Sequence, residues 1–441
     1  VAGGNNAALG YYAFIGGGWD NVAGTAVSIS GGSGNTAFGY HATVSGGQYN
    51  TANGYFSSVG GGQSNQAGYY ATISGGELNT ALGYHSVVGG GLQNDASSFA
   101  STVSGGEYNT AANDHAFVGG GWGNTAAGYV SSVSGGYRNV ASAYASAVSG
   151  GYSNYAAGYA SSIGGGEMNA AGYYGATVSG GLWNTALGYV SVIGGGHNNR
   201  VARAGTTVSG GGRNFALGYY ATVGGGWNNV AGTAASVLGG SGNTAFGSHA
   251  SVSGGESNFA NADYGSIGGG QSNQAGYYAT VSGGELNTAL GYHSTVGGGR
   301  QNIASSYAST VSGGEYNTAS DQHAFVGGGW GNTASGYLSS VSGGDWNLAS
   351  AYASAINGGY WNYAGGYAAS IGGGSQNAAT VYGASVLGGL SNTASGYTSM
   401  IGGGHFNRAT SSGAAVVAGG NNAALGYYAF IGGGWDNVAG T

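Results

Sequence analysis

The sequence has no cysteine, no proline and no lysine, and only 4% of its 441 residues are charged. A soluble globular domain carries about 25% charged residues, so an ordinary globular domain is excluded. Without proline, and without glycine at every third position, the chain cannot be collagen. The lack of cysteine leaves no disulfide pattern from which to read a compartment. Six arginines are scattered, apart from Arg200, Arg203 and Arg213, and the net charge is −7. No basic stripe follows a phosphate backbone, so nucleic acid is not an expected partner. No run of 18 apolar residues occurs, so no membrane-spanning helix is expected. There is no initiator Met and no signal peptide, which predicts a segment of a longer chain.

What the chain does have is 104 Gly, 35 Tyr, 8 Trp and 11 Phe. Disordered chains are charged and poor in aromatics, so disorder does not fit. The organising feature is a repeat. Asparagine recurs at Asn35, Asn50, Asn65, Asn79, Asn94, Asn109 and Asn124, at 15-residue intervals that shorten to 14 after Asn65. The same series runs from Asn6 to Asn437 and marks about 30 coils. Around each Asn the pattern is (Ala/Ser)-x-(Val/Ile)-x-Gly-Gly-x-x-Asn-x-Ala-x-Gly-Tyr, with variations in the turns. Gly stands three before every Asn, and Ala two after it except at Val201.

Alternate residues of a strand face one way, so Ala-x-Val and Asn-x-Ala read as two short strands with small inward side chains. Gly-Gly and Gly-Tyr supply the turns. Two strands and two turns in 14–15 residues predict one coil of an all-β parallel β-solenoid, or β-roll. Stacked coils set Asn over Asn, which predicts a ladder of side-chain amides. Val201 should swell its coil slightly. A flat, silk-like sheet would show period two throughout, without an Asn every 15 residues.

A longer period lies above the coil. "GGQSNQAGYYAT" at 61–72 returns at 269–280, an offset of 208 residues. Residues 1–208 and 209–416 are therefore super-repeats, and 417–441 repeat 1–25 without change. Identity across 416 residues beside divergence across 208 predicts one continuous solenoid over 1–441, a window on a longer repetitive chain.

Stretches such as "ASTVSGGEYNTAA" (100–112) and "YASSIGGGEMNAAG" (159–172) resemble the head repeats of trimeric autotransporter adhesins, the YadA-like class. The resemblance implies a left-handed parallel β-roll, association of three chains, a cell-surface or extracellular location and binding of host or surface ligands. It brings no catalytic residues.

The catalytic inventory is thin. Acids such as Glu77, Glu107, Glu167, Glu285 and Glu315 sit one per coil in a turn, too far apart for paired general acid–base work. No two of the eight His fall on adjacent coils, so neither a metal nor another cofactor is expected. The Gly-Gly-Gly turns lack the lysine of a phosphate loop. No enzyme is expected.

The informative positions are those that vary. The two residues before each Asn change from coil to coil and bring up Trp122, Trp183, Trp330, Trp346 and Trp361. A second edge carries Tyr40, Tyr55, Tyr84 and Tyr129. These aromatics are candidates for packing on neighbouring chains, for stacking on one another, or for adhesion to surface glycans. The Val44, Val59 and Ile73 row is also expected to need another chain, because a two-strand coil is thin.

The expected function is a non-catalytic structural protein, an extracellular fibre or adhesin shaft whose partners are copies of itself, three chains first. The alternative is a surface- or carbohydrate-binding adhesin head. A more remote one is an ice-binding solenoid, for which the row after the Asn begins with Thr36 and Thr51 but is broken at Gln66, Asp95, Val140 and Tyr155.

Overall fold

A computed structural model of the chain describes residues 3–440. It falls into two units, Val1–Tyr220 and Ala221–Thr441. Each unit is an all-β parallel solenoid; the coils number about 29, each of about 15 residues, and no helix occurs among the described residues.

In the first unit Thr43–Val44 pairs in parallel with Ser58–Val59, and Thr51–Ala52 with Gln66–Ala67. In the second, Thr280–Val281 pairs with Thr295–Val296, and Thr288–Ala289 with Ile303–Ala304. The strands are two residues long, one pointing out and one in, as the pleat requires. Val44, Ala52 and Val59 are buried inside their own coils. The 14-residue coils lose their residue in the turn after the Ala. Gly24–Thr25 replaces the longer Phe38–Gly39–Tyr40, while Ser28 keeps its register with Thr43.

Three expectations need correction. The coil has a third ladder, single-residue parallel bridges two positions before each Asn, as in Glu107 to Trp122 to Tyr137. One residue has no alternation, so no strand pattern announced it. The Val/Ile row needs no second chain: Val44, Val59 and Ile73 are at most 1% exposed within the single chain. With three ladders the coil encloses more room than two strands would. Val201 does not swell its coil. It is fully buried, holds register with Ala186 and Ala216, and accepts from the Leu187 N–H at 2.9 Å.

Coil stacking is too tight for side chains in the glycine turn. At Gly47 φ is +88°, and a Cβ there would lie 2.1 Å from the Gly62 carbonyl oxygen of the next coil. Glycine is required both for the left-handed backbone and for the contact.

Candidate functional site: the asparagine ladder and two aromatic columns

The asparagines are the inner frame. Asn35, Asn50, Asn65, Asn79, Asn94, Asn109 and Asn124 are all buried. The Asn50 backbone N–H donates to Asn35 Oδ1 at 2.9 Å. Its own Nδ2 donates to Gly46 O at 2.9 Å and to Gly62 O at 2.8 Å, one coil on. Direct amide-to-amide bonds, such as Asn65 Nδ2 to Asn50 Oδ1 at 3.1 Å, occur in only some coils. The amide therefore acts chiefly as a brace on backbone groups that the glycine turns would otherwise leave unpaired.

That brace explains an unusual backbone. The residue before each Asn is left-handed in every coil from Asn5 to Asp436, whatever its identity. Trp183 has φ 57°, Trp346 55° and Trp361 56°. Non-glycine residues visit this region at a cost of about 1–2 kcal/mol, and they remain there where the surroundings over-determine the turn. The sequence reading looked for such turns at glycine and missed these.

The variable column lies on this turn. Trp122 stacks on Tyr137 with centroids 4.5 Å apart, Tyr137 stacks on Tyr152 at 5.2 Å, and the Arg138 guanidinium lies 4.9 Å from the Trp122 centroid. In the second unit Trp330 meets Trp346 edge-on at 4.7 Å, and Trp361 follows on the next coil. Trp183, Trp346 and Trp361 are about half exposed.

The tyrosine column lies on the other turn. Tyr40 and Tyr55 are tilted neighbours at 6.1 Å, and Tyr84 stacks on Phe99 at 5.9 Å. From Tyr129 the order tightens: Tyr129, Tyr144, Tyr159, Tyr174 and Tyr189 stack at 5.3, 4.6, 5.1 and 5.0 Å. The second unit repeats this with Tyr337, Tyr352, Tyr367, Tyr382 and Tyr397 at 5.2, 4.5, 5.1 and 5.0 Å. Most ring faces in these runs cover one another, and each tyrosine stays about half exposed. Packing between Tyr144 and Tyr174 strips water from the Tyr159 phenol, and charge on either neighbour would repel its phenolate. Both effects hold its pKa above the usual value. Desolvation and Tyr352 do the same to Tyr367.

No group of three or more His, Asp or Glu spaced to hold a metal occurs among the described residues. A feature the sequence reading passed over is a hydroxyl row seven residues before the Asn. Thr222, Ser236, Ser251, Ser266, Thr280, Thr295 and Thr310 follow one another in register on seven coils of the second unit. No protein-family model matches the chain, and no curated protein matches it.

Proposed function

We propose that this is a non-catalytic structural protein, the shaft of an extracellular fibre or surface adhesin, assembled from several copies of itself. The observation that carries this reading is how the side chains are used. The Asn amides, the Val/Ile row and the Ala row continue the coil, and the tyrosine rings stack on one another along it. The tryptophan-bearing turn leaves apolar surface open to solvent, with Trp330, Trp346 and Trp361 exposed on successive coils. A repeated exposed apolar patch is a surface for association, and the resemblance to trimeric autotransporter heads makes three chains the first choice and the cell surface the location. Oxidation of tryptophan by N-bromosuccinimide tests it. In the assembled protein Trp346 and Trp361 react slowly, and dilution to monomer exposes them. Equal, fast reaction at every concentration would count against the reading.

A second reading, binding to an ordered surface such as ice, is supported by the half-buried hydroxyl row from Thr222 to Thr310. Thermal hysteresis in a solution of the purified chain tests it, and Thr280→Leu with Thr295→Leu would abolish the effect.

A further inference from the structure

The tightly stacked run of the first unit ends abruptly. After Tyr189 the next coil carries Ala204 at the column position, and the coil after that carries Tyr219. The backbone register does not change. The Gly205 N–H donates to Tyr189 O at 2.9 Å, and the Tyr220 N–H to Ala204 O at 3.0 Å. The column skips a ring without skipping a coil.

Both walls of this gap are aromatic faces. Tyr189 stacks on Tyr174 at 5.0 Å and 13°, so its other face looks toward Ala204. Tyr219 also faces the gap, and the Arg203 guanidinium lies over that face, 5.7 Å from its ring centroid. Leu187, Ala202 and Ala204 line the cleft between them. Two coil spacings of about 4.8 Å separate the walls; Arg203 takes up the Tyr219 side, which leaves the open face of Tyr189 for one more ring.

The charge around the gap is one-sided. Arg203 lines the gap, Arg200 stands three residues before it, and no acidic residue occurs between Glu167 and Glu256. A ring entering beside Arg203 would be favoured if it carried a negative group.

We infer that the gap at Ala204 is a binding slot for one planar aromatic carboxylate, its ring stacked on the open face of Tyr189 and its carboxylate against Arg203, which lies over Tyr219. This goes beyond the structural role proposed above and uses a turn that the proposed self-association leaves free. The second unit provides a natural comparison. Tyr397, Ser412 and Tyr427 repeat the gap with the same backbone bonds, Gly413 N–H to Tyr397 O and Tyr428 N–H to Ser412 O, but Ser411 stands where Arg203 would be. That gap offers the ring walls without this cation.

The test is calorimetric titration of the full 441-residue chain, carrying Ser412→Tyr to close the second gap, with benzoate, phenol, cyclohexanecarboxylate and glucuronate. Benzoate should bind more tightly than the other three. Ala204→Tyr, which inserts the ring that neighbouring coils already carry, should abolish that binding while leaving the folded spectrum unchanged. Arg203→Ser should weaken benzoate by about fivefold or more and leave phenol nearly unaffected. Undiminished benzoate binding in Ala204→Tyr would overturn the inference. So would cyclohexanecarboxylate or glucuronate binding as tightly as benzoate, which would mark a charge site or a sugar site, and so would the absence of benzoate binding.

Discussion

The backbone N–H of Asn65 donates to the side-chain Oδ1 of Asn50 at 3.0 Å, so the amide of one coil holds the main chain of the next. The same bond joins Asn154 to Asn169 at 2.9 Å and Asn302 to Asn317 at 3.0 Å. This cross-coil bond, rather than the two-residue strands alone, is what makes each coil specify its neighbour.

Asn154 is the place to test the brace. Its side chain accepts from Asn169 N–H and donates to Gly150 O and Gly166 O. Asn154→Ala leaves those buried groups unpaired and should cost about 3 kcal/mol or more. Asn154→Asp should be worse, because it keeps the acceptor, loses both donors and buries a charge facing two carbonyls. Hydrogen exchange should show the opening confined to the coils around 154, as expected where each repeat contacts only its neighbours. An Asp variant as stable as the parent would refute the brace.

Val190 is a β-branched residue held at φ 48°, on the tyrosine turn. Asn tolerates this region far better, so Val190→Asn should slow local opening of its coil and stabilise it by about 1 kcal/mol. Gly175 holds the same place one coil earlier at φ 61°, and Gly175→Val should have the opposite effect. Amide exchange rates at the two coils measure both.

The raised phenol pKa values of Tyr159 and Tyr367 set an alkaline limit. An unfolded tyrosine ionises near pH 10, whereas these two hold their protons to higher pH when folded. Stability is therefore full below about pH 10 and falls as the pH rises from there through the folded values. Absorbance at 295 nm should show a late-titrating component, and Tyr159→Phe together with Tyr367→Phe should diminish it, leaving the part due to Tyr278, whose phenol pKa burial also raises. A single titration near pH 10, unchanged in the variant, would contradict stacking in solution.

Asp95 sits on the outward strand position between Thr80 and Thr110, with one carboxylate oxygen unpaired. Burial raises its pKa, opposed in part by a hydrogen bond from Ser97. The ionised form is thus disfavoured by folding, and stability is lost as the pH rises from the unfolded value near 4 through the raised folded value. Asp95→Thr, matching its ladder neighbours, should stabilise the protein at neutral pH and leave it little changed at pH 3. Thermal melts at the two pH values provide the check.

The coil was legible because Asn, Gly and Ala recur at fixed positions that the structure fills with one brace, one tight turn and one inward side chain. The third ladder was not, since a single bridging residue such as Gln48 or Glu107 leaves no periodic trace. The Val row misled for a related reason: two strands enclose too little to bury Val44, but three ladders enclose enough. The left-handed Trp346 was hidden because its turn is imposed by the Asn347 side chain and not by its own preference. The gap at Ala204 was written in the sequence as a break in the tyrosine series. Its meaning depended on the orientation of Tyr189 and Tyr219, which spacing alone does not give.

Sedimentation equilibrium of the purified chain in dilute, near-physiological buffer tests the self-association most directly. The expected result is a discrete mass of three chains, each of 42.5 kDa, that persists in high salt and falls apart when Trp330, Trp346 and Trp361 are replaced by Ser. A stable 42.5 kDa monomer with its tryptophans freely quenched by acrylamide would contradict it.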